Sequence, residues 1–205
     1  MRVVLIRHGQ SEGNILQVIQ GQKDYPLTKK GEEQAHKAGR ELKETHHFDR
    51  IYSSDLLRAT KTAEIIASYF NGMEITFSEK LRELHFGSFQ GRKSLELTDE
   101  DKACLNSCWN NSTKRYPDGE TVEELSARVT EVFSEITNSN TENSTILIVC
   151  HRRTLFCLLK QILGSVPIVT AEWFKNCSVN ELMRDKSTDK WQLTRFDSKF
   201  LDTDC

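Results

Sequence analysis

The sequence predicts an α/β fold with a mainly parallel central sheet, and three observations carry that expectation. Residues 1–6 and 145–149 are short runs rich in Val, Leu and Ile, the pattern of strands buried on both faces. Between them strand-like and helix-like segments alternate. Each run is followed by a histidine, His8 and His151, and the ligand crevice of an open α/β sheet lies beyond the carboxyl ends of its strands. At 205 residues the chain fits a single domain, 1–205, with a proper core.

Taken in order, the first strand leads into Arg7-His8-Gly9-Gln10-Ser11-Glu12-Gly13-Asn14, an unusual exit from a core strand. Thr28 can cap a helix over 28–45, where Ala35, Ala38 and Leu42 recur at helical spacing among charges. Residues 48–52 read as a short strand, and Ser53-Ser54-Asp55 as a turn suited to capping the next helix, about 56–70. That helix carries Leu57, Ala63, Ile66 and Tyr69 as apolar positions. Arg58 falls in its first turn, where a cation opposes the helix dipole. It is therefore either a solvated side chain or one that meets an anion beside the helix start. Residues 75–77 read as a third strand, and 81–91, with aromatics, glycines and Glu83, as an irregular loop lining a cleft. Residues 92–117 are polar and in part helix-prone, and read as a cap or lid.

Thr121 stands three residues before Glu124, which resembles a capping box. The helix it opens runs to about Thr137, with Val122, Leu125, Val129, Val132 and Phe133 facing inward. Residues 138–144 read as a solvated loop. After Cys150-His151-Arg152-Arg153-Thr154 a helix is expected from Leu155 to Leu163. Residues 176–182 and 190–196 read as a final pair of edge strands, and 197–205 as a frayed tail. Trp173 and Phe174 suit an interface as well as a core, so a homodimer stays open.

The composition narrows the function. Hydrophobic residues are 37%, charged residues 28%, and net charge is −2, an ordinary globular profile with no case for nucleic acid or a membrane surface as partner. No apolar run approaches a membrane span, and residues 1–6 are too short for a secretory signal. Six cysteines (Cys104, Cys108, Cys150, Cys157, Cys177 and Cys205) are too few for a disulfide scaffold, and reduced thiols in the cytoplasm are expected. Cys104 and Cys108 lack the companions of a zinc site.

The residues also suggest a chemistry. A neutral, aimed imidazole is a covalent nucleophile. Arginine side chains bind a phosphoryl group through forked donors and neutralise its oxygens. Transfer from an alkoxide needs an acid at the leaving oxygen, a task for which Glu83 is the candidate; otherwise it is a solvated acid or a partner for Arg82. Gly9 and Gly13 let the backbone approach a phosphate. Neither a Gly-x-Gly-x-x-Gly nor a Walker pattern is present, so nucleotide binding has no support.

Leu5-Ile-Arg-His-Gly-Gln-Ser-Glu-Gly-Asn14 resembles the signature of the histidine phosphatase superfamily, in the branch related to cofactor-dependent phosphoglycerate mutase. The resemblance continues along nearly the whole chain. It takes in Gln20-Gly21; Pro26-Leu27-Thr28 with Gly31 and Gln34-Ala35; Tyr52-Ser53-Ser54-Asp55-Leu56 with Arg58-Ala59 and Thr62-Ala63; Leu81-Arg82-Glu83 with Phe86-Gly87 and Gly91; Gly119-Glu120-Thr121; and His151. It implies a three-layer, phosphoglycerate mutase-like α/β sandwich. By the same resemblance His8 is the nucleophile, and Arg7, Arg58 and His151 hold the phosphoryl group. Asn14 adds a hydrogen bond. Glu83 protonates the leaving oxygen and then activates water. Gln20 and Gly21 line the substrate side. No metal and no cofactor is required, and the partner is a small phosphomonoester.

Within the superfamily, mutases have a Tyr three residues after the acid, a Lys eleven after it, and a paired Arg in the cap. Here those places hold Phe86, Ser94 and, in the cap, only Lys114-Arg115, with Lys93 one position off. The run from Leu81 to Lys93 looks more like the family's phosphatases. The family's usual Gly after the second His is replaced by Arg152-Arg153. Arg152 either recognises a substrate carboxylate, as in phosphoserine or 3-phosphoglycerate, or points to solvent or an acid. The leading expectation is a phosphatase for a small, carboxylated phosphometabolite such as phosphoserine. A mutase or sugar bisphosphatase of the same superfamily is the second, and a catalytically silent sensor of a phosphorylated ligand the third.

Overall fold

A computed structural model describes residues 1–164, 174–196 and 199–200, the last two by backbone alone. Seven strands form one sheet: β1 Arg2–Arg7, β2 Arg50–Ser53, β3 Ile75–Phe77, β4 Thr145–Cys150, β5 Val179–Arg184, β6 Trp191–Phe196 and β7 Lys199–Phe200. Their order is β3-β2-β4-β1-β5-β6-β7. The four strands from β3 to β1 are parallel, and β5, β6 and β7 extend the sheet antiparallel. β5 therefore lies inside the sheet against β1, not at an edge. It is tolerated there because Val179, Asn180, Glu181 and Leu182 are all buried.

Alternation along β1 and β4 makes the three layers. Val3, Leu5, Ile146 and Ile148 point to one face, where they meet α5 (Val122–Asn138) and α6 (Arg152–Leu163). Val4, Ile6, Leu147 and Val149 point to the other, against α2 (Lys29–Thr45) and α3 (Leu57–Ser68). Both α/β class and helix-covered sheet thus follow from strands apolar on both faces. A short α1 (Glu12–Ile15) and the cap helix α4 (Asp99–Asn110) complete the α-helices among the described residues. None of these helices is long and apolar enough to cross a membrane.

The caps show why the elements begin where they do. Thr28 accepts from Gly31 N at the start of α2, and Thr121 and Glu124 form the expected capping box on α5. Ser53-Ser54-Asp55 does not cap α3. Leu56 is its N-cap, Asp24 Oδ1 accepts from Leu57 N at 2.9 Å, and Asp55 is drawn instead into a bidentate pair with Arg82. Leu57 is turned outward, 51% exposed. Helix α6 begins at Arg152, three residues earlier than the apolar pattern suggests, because His151 is the extended N-cap residue directly after β4. Phe174 is buried in the core and stacks edge-on to Phe196, with ring centroids 5.5 Å apart. Trp173 and most of the 197–205 tail lie outside the described residues.

Candidate active site

Strand register brings the two histidines together. Arg7 pairs with Cys150 across β1 and β4, and His8 N donates to Cys150 O at 3.0 Å. The His8 and His151 rings then lie with centroids 5.2 Å apart. Gly9 follows because the chain passes tightly over α2: a Cβ there would lie 2.5 Å from Gly31 O. Gly9 N donates to Thr62 Oγ1 at 3.0 Å, tying the loop to α3.

His8 is 3% exposed, and its Nδ1 lies 2.7 Å from Gly9 O. A carbonyl only accepts, so Nδ1 carries the proton and Nε2 keeps its lone pair. Burial, then the neighbouring Arg58 and Arg7, pushes the His8 pKa well below the ordinary imidazole value. The ring is neutral at pH 7 and suited to nucleophilic attack through Nε2.

Around it stand two arginines whose donors are only partly used by the protein. Arg7 Nη1 donates to Phe174 O at 2.7 Å, and Arg58 Nη1 and Nη2 donate to Lys23 O (2.9 Å) and Gly21 O (2.7 Å). Both Nε atoms are buried with no partner. Burial lowers both guanidinium pKa values to about 10, leaving them cationic at neutral pH. His151 Nε2 contacts Ser54 Oγ at 2.8 Å, while its Nδ1 is buried and unpartnered. Asn14 Oδ1 accepts from Ser11 N, Ser11 Oγ and Asn176 Nδ2 at 3.0, 3.1 and 3.3 Å. Its amide nitrogen has no partner among the described residues. Orphaned buried polar atoms are costly. An oxyanion among Arg7, Arg58 and His151 would satisfy them together.

Glu83 is 9% exposed, and its Oε1 accepts from Leu84 N at 2.9 Å and from Arg153 N at 3.2 Å. It does not pair with Arg82, which binds Asp55. Its loop is held from behind by Arg128, which donates to Lys80 O (2.8 Å), Arg82 O (2.7 Å) and Glu83 O (2.9 Å) and pairs with Glu120.

One cavity of about 350 Å³ is lined by Arg7, His8, Asn14, Gln20, Gly21, Arg58, Glu83 and Arg152, and the His151 ring lies next to that of His8. All nine residues singled out from the sequence therefore meet. Gln20 Oε1 accepts from Ser11 Oγ at 2.8 Å, and Gly21 turns at φ +54° and offers its carbonyl to Arg58. Arg152 lines the cavity on the side of Arg7, whose pKa it helps to lower. The cap closes the other side with Trp109 and Tyr116, whose phenol pKa burial raises to about 12. Phe86 and Ser94 line it too. Lys114 and Arg115 do not: Lys114 reaches Ser107 Oγ, and Arg115 binds Gly119 O and Glu124. Lys93 pairs with Glu96.

Sequence reasoning missed Ser54, Arg128, Glu120, Arg153, Trp109 and Asn176. Ser54 and Glu120 stood inside family-like motifs, which was a usable signal. Arg128 is one charged position on an amphipathic helix, and Trp109 one aromatic in an unreadable cap, so neither carried any.

A family model described as "Histidine phosphatase superfamily (branch 1)" matches residues 3–198. A protein of Salmonella arizonae named "Probable phosphoglycerate mutase GpmB" is 38% identical over 196 residues, 93% of this chain and 87% of that protein. Among solved structures, a mycobacterial glucosyl-3-phosphoglycerate phosphatase superposes with TM-score 0.81 at 26% identity, covering 97% of this chain and 99% of that one. A phosphoserine phosphatase variant from Entamoeba histolytica in complex with phosphoserine gives 0.79 at 26% identity, covering 96% of each chain.

Proposed function

The chain belongs to the histidine phosphatase superfamily, and we propose that it hydrolyses a small, carboxylated phosphomonoester such as phosphoserine through a phosphohistidine intermediate. His8 Nε2 attacks phosphorus, and the ester P–O bond breaks. Glu83 gives its proton to the departing alkoxide, which leaves as the alcohol. The resulting carboxylate then takes a proton from water as that water attacks phosphorus. The N–P bond breaks, and inorganic phosphate leaves with His8 neutral again. Arg7, Arg58 and His151 hold the phosphoryl oxygens throughout and stabilise the charge spread over them. The observation that carries this reading is the neutral His8, with its tautomer set by Gly9 O, beside the buried Nε donors of Arg7 and Arg58 and the buried His151 Nδ1, all three without a protein partner.

The relative named as a phosphoglycerate mutase supports a second reading, transfer rather than hydrolysis. Against it, Lys114 and Arg115 are engaged outside the cavity, and Phe86 and Ser94 occupy the places where family mutases have Tyr and Lys. A panel of phosphoserine, 3-phosphoglycerate with and without 2,3-bisphosphoglycerate, sugar phosphates and p-nitrophenyl phosphate separates the two. Rapid 2,3-bisphosphoglycerate-dependent isomerisation would sink the hydrolase reading. An acid-labile phosphoenzyme that disappears in His8→Ala, with turnover lower by several orders of magnitude, is expected on either reading. Its absence from the native chain would favour a silent sensor.

A further inference from the structure

Arg153 is a cation of the cavity wall to which the proposed reaction gives no task. It is the second residue of α6, and its backbone N–H sits on the Glu83 carboxylate at 3.2 Å and 3.3 Å. Its side chain rises to the cap, where the guanidinium carbon lies 3.7 Å from the centre of the Trp109 ring. Trp109 is in turn backed by Phe156, with ring centroids 5.3 Å apart. The Arg153 guanidinium makes no hydrogen bond and no ion pair among the described residues, and the half-buried side chain lines the cavity. A planar cation with five donors, held against an aromatic face and given no protein acceptor, is a prepared half of a bidentate pair.

Its position decides which part of a substrate it would meet. The phosphoryl group belongs with Arg7, Arg58 and His151, and the ester oxygen with Glu83. Arg153 is anchored to Glu83 by its own backbone while its guanidinium reaches the cap, so it would meet the part of a substrate that extends from the ester oxygen toward Trp109. Arg152, one residue earlier on the helix, also lines the cavity and lowers the pKa of both Arg7 and Arg153. A dianionic second phosphate beside Arg153 would also sit beside Glu83, whereas a singly charged carboxylate meets less repulsion and matches the planar fork.

We propose that Arg153, positioned by Trp109, is the specificity-determining residue of this site and receives a substrate carboxylate two or three bonds beyond the phosphate ester oxygen. The proposal rests on the phosphomonoesterase reading above and names the residue that selects its substrate. Phosphoserine carries such a carboxylate; phosphoethanolamine is the same ester without it.

The test is the ratio of kcat/KM for phosphoserine over phosphoethanolamine in the native chain, Arg153→Met, Arg153→Lys and Trp109→Leu, with p-nitrophenyl phosphate measured alongside. The native chain should favour phosphoserine. Arg153→Met should lower that ratio about ten- to a hundred-fold, the range of a charge-assisted hydrogen-bonded pair. Arg153→Lys should recover part of it, since the charge remains while the fork is lost. Trp109→Leu should lower the ratio chiefly through KM. A ratio unchanged in Arg153→Met, or equal losses on both esters, would overturn the proposal. Binding of the two esters to His8→Ala, with and without Arg153→Met, measures the same preference calorimetrically without turnover. If the native chain hydrolyses no phosphomonoester, the phosphatase reading falls. The binding ratio then still decides for or against Arg153.

Discussion

Arg128 can be removed without touching the cavity, which makes it a clean probe of how the Glu83 loop is held. Arg128→Met deletes donors to three carbonyls, Lys80, Arg82 and Glu83, and leaves the Glu120 carboxylate facing none of its former cation. The side chains of Arg128 and Glu120 are only 18% and 14% exposed, so screening by water is modest. Breaking one partner of a buried ion pair costs about 3–5 kcal/mol. The lower end applies here, because Thr154 Oγ1 still serves Arg82 O, Gln22 Nε2 still serves Glu83 O, and His85 N still serves Glu120. About 3 kcal/mol in a domain of this size corresponds to a Tm lower by about 6–12 °C. Thermal melting and urea unfolding read it directly. A double-mutant cycle with Glu120→Gln should show coupling of about 1–3 kcal/mol. A variant melting within about 2 °C of the native chain, by the same scale, would refute this account of the loop.

Three further outcomes follow from the same geometry. His8 and His151 both have pKa values well below the ordinary imidazole value, chiefly through burial. As pH falls below about 6.5 the unfolded chain takes up protons that the native state refuses, so this stability is complete above that pH and is lost below it. The slope should reach about 1.4 kcal/mol per pH unit for each ring, and His8→Asn should flatten it; denaturant curves of equal slope in both proteins would contradict this. Gly31→Ala puts a Cβ 2.0 Å from Gln10 O, so urea unfolding should show a loss of about 1–3 kcal/mol despite the better helix former, and an equally stable variant would count against the close packing. Glu83→Gln should slow phosphoserine, with its poor leaving group, far more than p-nitrophenyl phosphate; equal slowing in steady-state assays would remove Glu83 as the acid.

Much of the site was legible because its residues stand at the ends of patterns that local physics makes readable. Two strands apolar on both faces placed His8 and His151 at one sheet edge, and Thr28 and Thr121 with Glu124 announced their helices through caps that need only neighbours in sequence. The turn at Asp55 misled because its cap role was taken from 31 residues away by Asp24, while Arg82 claimed Asp55 itself. The start of α6 was displaced because apolar periodicity begins one turn after the backbone becomes helical.

By itself the sequence determined the α/β class, the strand that ends in His8 and a set of residues whose side chains suit a phosphoryl anion, since each depends on residue type at short spacing. Tertiary structure alone decided the His8 tautomer, set by the tight turn that returns Gly9 O to Nδ1. It also decided the anchoring of Glu83 by Arg128 and the meeting of Arg153 with Trp109, whose elements are far apart in the chain. Such contacts are set by how a cap helix and two core helices pack, and no local pattern records that packing.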